Sequence, residues 1–197
     1  IHAGRAIQIG PKNYLAHGYM GIPISITVEG ANILTRNLMI FGQGATRCHP
    51  YVLAELEAAA NPNAEEGLAQ FDKLLMAHIG FAVGNTFSAL WQGLTAGAFN
   101  SAPVSGETAR YYKQLSRMSR ALALSADFSM LILGGELKRR EMLSARLGDV
   151  LSQLYIASAV LKFYEDNGRQ QCDLPFVHYS LQRALFEIGR AFDGFFA

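Results

Sequence analysis

At 197 residues, half of them apolar, the chain is long enough for one or two domains and can bury a sizeable core. Its 17 basic and 16 acidic side chains leave a formal net charge of +1, which argues against a nucleic-acid partner and, with the apolar content, against disorder. The two cysteines, Cys48 and Cys172, make neither a disulfide framework nor a metal-ligand spacing and fit a reducing compartment. Cys48 and His49 are neighbours and so point different ways on a helix, with no further ligand close by in sequence. The chain opens at Ile1 without a Met or basic leader and stops in the apolar run Phe195-Phe196-Ala197. Natural termini are usually polar and loose, so the expectation is a fragment of a longer protein.

Taken in chain order, the first distinctive element is a lone carboxylate. Between Lys12 and Arg36 the only formally charged side chain is Glu29, preceded by the apolar stretch Ile22 to Val28, which Pro23 predicts to be extended. A carboxylate drawn out of water tends toward a raised pKa, which suits a general base. The same residue could equally open the helix that follows, where its charge complements the helix dipole. Leu34, Leu38 and Phe41 have helical spacing over Ala31 to Phe41, and Gly42-Gln43-Gly44 breaks the pattern. Pro50 suits the first turn of a helix reaching Ala60. Asn63 with Glu66 reads as a capping box opening a long helix that ends near Asn100. Ser105, with Glu107 in the first turn, is expected to cap the next helix, with a break at Gly134-Gly135 or near Arg140. Asp173 and Pro175 start the last one.

Two stripes stand out. Leu143, Leu147, Val150, Leu154, Ala157, Leu161 and Tyr164 alternate by fours and threes, as do Leu181, Leu185, Ile188, Phe192 and Phe195, with Arg183, Glu187 and Arg190 on the far side. Such seams predict near-antiparallel helix packing. No strand pattern of useful length occurs, so the fold class is all-α, an antiparallel helical bundle.

Leu74 to Gly106 contains no formally charged residue. The length exceeds the ~20 residues of a membrane span, but His78, Asn85, Gln92 and Asn100 interrupt it, so the reading is a buried helix, with membrane-surface contact as the second reading. Gly80 with Gly84, and Gly93 with Gly97, lie one turn apart and allow close helix approach. Arg110, Lys113, Arg117 and Arg120 line one helix face, either a solvated face or a dock for phosphates or an acidic partner. Asp127 lies among apolar residues where Ser125, Ser129 and backbone can satisfy it, and His78, His178 and Trp91 read as core or interface residues.

The string Thr27-Val28-Glu29-Gly30-Ala31-Asn32-Ile33-Leu34-Thr35-Arg36, continuing through Phe41-Gly42-Gln43-Gly44 to Arg47-Cys48-His49-Pro50, resembles the large bacterial acyl-CoA dehydrogenases of fatty-acid β-oxidation. The resemblance implies that Glu29 is the base removing the α-proton of a medium- or long-chain acyl-CoA, that Gly30 lies against the substrate, and that Ala31, Asn32 and Ile33 lie beside FAD. The upstream segment His2-Ala3-Gly4-Arg5-Ala6 is similar to the family's Gly-rich stretch near the FAD pyrophosphate, with Ala3 and Ala6 where glycine is usual. Ala31 stands where many members carry Thr and Ile33 where many carry Gln, so contacts from those positions would come from backbone. Residues 1–60 resemble the end of the dehydrogenase's helical bundle, and 61–197 the additional C-terminal helical domain. The resemblance further implies an electron-transferring flavoprotein as partner, a homodimer, and a bacterial cytoplasmic location, with peripheral contact to the inner membrane kept open. The rival readings are a non-catalytic helical dimerisation or docking module, and an acyl-CoA oxidase that passes electrons to oxygen.

Overall fold

The computed structural model describes residues 9–11, 14–28, 35 and 43–197, and no strand occurs among them. The all-α expectation holds. The helices are α1 (Tyr14–Val28), α2 (Gly44–Cys48), α3 (Val52–Ala59), α4 (Ala64–Leu94), α5 (Ala109–Leu133), α6 (Glu141–Asp166) and α7 (Leu174–Phe196), with a 3-10 turn at Gly134–Lys138 between α5 and α6.

The first stripe becomes a buried seam from Leu147 onward with Leu143 half-buried, whereas of the second only Leu181 and Ile188 are buried and Leu185, Phe192 and Phe195 are half-buried at its edge. Leu147, Val150, Leu154, Ala157, Leu161 and Tyr164 of α6 meet Leu174, Val177, Leu181, Ala184, Ile188 and Ala191 of α7, and this is the most extensive helix pair among the described residues. Leu147, Leu161, Leu181 and Ile188 are completely or almost completely inaccessible. Burial of each such side chain is worth about 1.5–3 kcal/mol. Tyr111 and Leu115 of α5 close this core from one side. Around Leu137 and Leu147 a smaller cluster gathers Met130, Phe192 and Phe195, and Ser144 donates to the Leu137 carbonyl at 2.7 Å, tying the 3-10 turn to α6. On the outside of α7, Glu187 pairs with Arg183 at 2.7 Å and Arg190 at 3.5 Å.

Helix boundaries follow local chemistry, with departures from expectation. Ile22 to Val28 is helical rather than extended, and Pro23 lies inside α1. The fixed φ of proline is itself helical, so its cost inside a helix is one lost hydrogen bond and some crowding rather than a forbidden backbone. α4 stops at Leu94, short of Asn100, because Ala96 (φ +51) and Gly97 (φ +71) turn left-handed and the Gly97 N–H returns to the Gln92 carbonyl at 2.9 Å. α5 begins at Ala109 after Thr108, not at Ser105, since Gly106 at φ +97 cannot belong to a helix. Pro50 lies one residue ahead of the N-cap Tyr51, just outside α3, and the other signals held. Asn63 accepts the Glu66 N–H at 3.4 Å, although Glu66 bonds Gln70 rather than completing the box. Asp173 and Pro175 open α7.

The long uncharged run differs from expectation in its surroundings. Within α4 only Gly67 and Asn85 are buried, while Met76, Ile79, Val83, Phe87, Leu90, Trp91 and Leu94 are exposed. α4 is one helix with the length and composition to cross a membrane. Its inner face packs on α3 and α5.

Where α3 turns into α4, a Cβ at Gly67 would stand 2.7 Å from the Ala58 carbonyl oxygen. Gly67→Ala is therefore expected to lower the thermal midpoint, because backbone must shift. Gly189→Ala, in α7 with nothing within 4 Å, is expected to raise stability by about 0.5–1 kcal/mol through helix propensity. Calorimetry of the two variants checks the pair.

Candidate functional site

The residues that the sequence assigns to chemistry, namely Glu29, Gly30, Ala31, Asn32, Ile33 and the segment His2, Ala3, Gly4, Arg5, Ala6, lie outside the described residues. The described part therefore presents no donor set on which FAD can be fitted. What it does present, directly downstream, is a polar joint where three helices converge.

His49 sits just before α3, whose N-cap Tyr51 makes no side-chain cap. The His49 Nδ1 replaces that cap, accepting the backbone N–H groups of Tyr51 and Val52, each at 3.2 Å. These are among the donors that a helix start otherwise leaves without partners. An Nδ1 that accepts must carry its proton on Nε2 in the neutral ring, and Nε2 donates to Asp127 Oδ1 on α5 at 3.1 Å. On α4, His78 Nδ1 engages Glu55 of α3 at 2.8 Å. The two imidazoles lie 4.6 Å apart, Tyr51 stacks on His78 at 5.5 Å, and Phe81 stands edge-on to His49 at 5.8 Å. The joint thus clamps α3, α4 and α5 together.

Only 6% of the His49 side chain is exposed, and 11% of Asp127. Burial holds the His49 pKa below the ordinary histidine range. The Asp127 carboxylate pulls it upward without prevailing, and the His78 imidazole pushes it further down. With both ring nitrogens committed, His49 is a structural cap rather than a base or ligand. Cys48 beside it is exposed, and no metal-binding group of His, Cys, Asp or Glu exists among the described residues.

Asp127 and His78 also form the polar part of an apolar groove of about 410 Å³ between α4 and α5, lined by Leu75, Ile79, Val83, Leu124 and Phe128 among others. Asp127 Oδ2 has no partner among the described residues. The sequence reading let Ser125, Ser129 and nearby backbone satisfy Asp127. The Ser129 hydroxyl instead bonds the Ser125 carbonyl at 2.6 Å, and Asp127 takes His49 from the other side of the fold. This pairing spans 78 residues and leaves no short-range pattern. The one available signal was a histidine placed before a helix start that lacks a Ser, Thr, Asp or Asn cap.

In the cationic row Arg110 and Arg120 are exposed, Lys113 and Arg117 are half-buried, and each has a partner in the fold. Lys113 donates to the Ala98 carbonyl at 3.0 Å, Arg117 to Gln114 at 3.3 Å, and Arg120 to the buried Asn85 at 2.6 Å. Arg110 lies 4.8 Å over the Tyr111 ring. His178 joins α7 to α5 through Tyr111 at 2.8 Å, in keeping with an interface role. Trp91, by contrast, is exposed and stacks on Phe99.

The joint has a pH signature. With the folded-state pKa of His49 depressed, the native protein binds fewer protons than the unfolded chain in that window. The contribution is whole above the ordinary histidine value and is lost as pH falls through the depressed one. Wild type is expected to lose its stability advantage over His49→Asn, whose amide oxygen caps but does not titrate, between about pH 7.5 and about pH 5. Urea denaturation across that range measures the gap, and a gap independent of pH would remove the capping role.

The family profile described as acyl-CoA dehydrogenase, C-terminal, bacterial type, matches residues 46–197. That range starts at Thr46, takes in the whole polar joint, and runs to the end of α7. No solved structure matches the chain. The chain belongs to the bacterial-type acyl-CoA dehydrogenase C-terminal family.

Proposed function

We propose that this chain carries the α-proton base of an FAD-dependent acyl-CoA dehydrogenase, with Glu29 in that role. The observation that carries the reading is the position of Glu29: it is the lone carboxylate of an uncharged stretch, and the family match begins shortly downstream at Thr46. The substrate class is a medium- or long-chain acyl-CoA, and the product is the trans-2-enoyl-CoA of β-oxidation. Glu29, as carboxylate, takes the proton from the carbon next to the thioester; Gly30 offers no side chain to block that approach. Bound FAD would supply the acceptor for the β-hydride at N5, and an electron-transferring flavoprotein would reoxidise it. Ala31, Asn32 and Ile33 are proposed to border the flavin ring, and His2, Ala3, Gly4, Arg5 and Ala6 its pyrophosphate. The chain's contribution is to hold the carboxylate within hydrogen-bond reach of the reacting proton.

Glu29→Gln in the full-length enzyme is expected to reduce turnover by at least ~10²-fold, while the flavin absorbance near ~450 nm stays at the wild-type level. Steady-state assay with an artificial acceptor measures the first and a spectrum the second. Wild-type-like turnover would remove Glu29 from the role. Peroxide release on adding acyl-CoA would reassign the electrons to oxygen.

A further inference from the structure

His49 differs from a serine or asparagine cap in that one proton reverses its sign. In the neutral ring Nδ1 accepts the backbone N–H groups of Tyr51 and Val52, while Nε2–H donates to Asp127 Oδ1. A proton added to the ring must go to Nδ1, the nitrogen that faces two donors. Three N–H groups then converge with no acceptor among them, and the first turn of α3 loses its cap. The opposite edge of the ring responds the other way. A bond from Nε2–H to a carboxylate becomes charge-assisted when the imidazole is cationic, so the grip of Asp127 tightens. One proton therefore breaks the contact with α3 and strengthens the contact with α5.

We infer that His49 is an acid-operated latch: its protonation frees the first turn of α3, with Tyr51 and Val52, while His49 itself stays on α5. The surroundings confine the opening to that turn. Glu55, one turn further along α3, is tied to His78 of α4 at 2.8 Å, and that pair stays attractive whether His78 is neutral or charged. Of the two tethers on α3, only the one at its start needs an unprotonated nitrogen. The α6–α7 core is held mainly by aliphatic burial, which does not titrate. Val52 also lines the apolar groove between α4 and α5, and Tyr51 stacks on His78. Release of the turn therefore opens the groove on its α3 side.

The groups around the ring decide where the latch works. The titratable side chains facing it are Asp127 from α5, His78 from α4, and Glu55 and Tyr51 from α3 and its N-cap. Burial keeps the proton off most strongly and His78 adds to it, against the pull of Asp127 and Glu55. Once the turn is released the ring is better solvated, so the open form binds the proton more tightly than the closed one. As pH falls from the ordinary histidine value to the depressed one, the open fraction rises about tenfold per pH unit, and below that it levels off.

Amide hydrogen exchange in the full-length protein, read as protection factors between about pH 7.5 and about pH 5, tests the latch. Protection of the Tyr51 and Val52 amides is expected to fall at least about tenfold over that range, while amides of α6 and α7 keep theirs. His49→Asn, which caps without titrating, is expected to hold its protection constant. Two neighbours give shifts of opposite sign. Asp127→Asn removes an upward pull and moves the transition to lower pH, and His78→Gln removes a downward push and moves it to higher pH. General loosening of the joint would move both the same way. Protection independent of pH, the same pH response in His49→Asn, shifts of one sign, or a loss that extends through α6 and α7 each overturns the inference.

Discussion

The α6–α7 seam is the constraint on which the described structure depends. Two long helices joined by a short connection bury a continuous row of Leu, Ile, Val and Ala, and Leu161, Leu181 and Ile188, completely or almost completely inaccessible, belong to it. Dispersion and apolar burial there outweigh the entropy of ordering two helices that could not persist alone in water. α5 then docks through Tyr111 and Leu115, and α4 and α3 add outward from α5. The architecture is layered: an apolar pair at the centre, and progressively more polar joints away from it.

Those joints explain why the outer layers hold their positions with little buried area. α4 has only Gly67 and Asn85 buried, so hydrophobic burial alone locates it weakly. Directional contacts do the rest. Arg120 grips Asn85, Asn100 bridges Gln92 and the Lys113 carbonyl, and the His49–Asp127 and His78–Glu55 pairs lock α3 to α4 and α5. The buried neutral imidazole accepts two backbone N–H groups and donates to a carboxylate, so both of its ring nitrogens are satisfied and it specifies geometry, while Asp127 Oδ2 is left without a partner among the described residues.

Much of this was legible in the sequence, and the rest was not for definite reasons. The α6 and α7 stripes, the Asn63 cap, the Asp173-Pro175 start and the Glu187 pairs are local patterns, and local patterns survive into the fold. Left-handed glycines and a left-handed alanine moved two boundaries, because a backbone sign cannot be read from composition. Pro23 was taken as a breaker where its cost is one hydrogen bond. The His49–Asp127 contact and the occupied cationic row join distant parts of the chain, which periodicity does not report. The uncharged run of α4 was read as buried on composition alone, yet apolar character says only that a face wants a partner, not that this chain supplies it.

That distinction bears on the two faces of α4 and on the joint that holds it. Glu29 is the one formally charged side chain between Lys12 and Arg36, in keeping with the role proposed for it. Immediately downstream, α2 leads into the His49 joint, whose hydrogen bonds run to backbone and to a buried carboxylate rather than to solvent. The polar joint thus fixes the start of α3 against α4 and α5, while the apolar outer face of α4 stays exposed. α4 is held on its inner face by Asn85 and His78, while Met76, Phe87, Leu90 and Leu94 on its outer face are exposed.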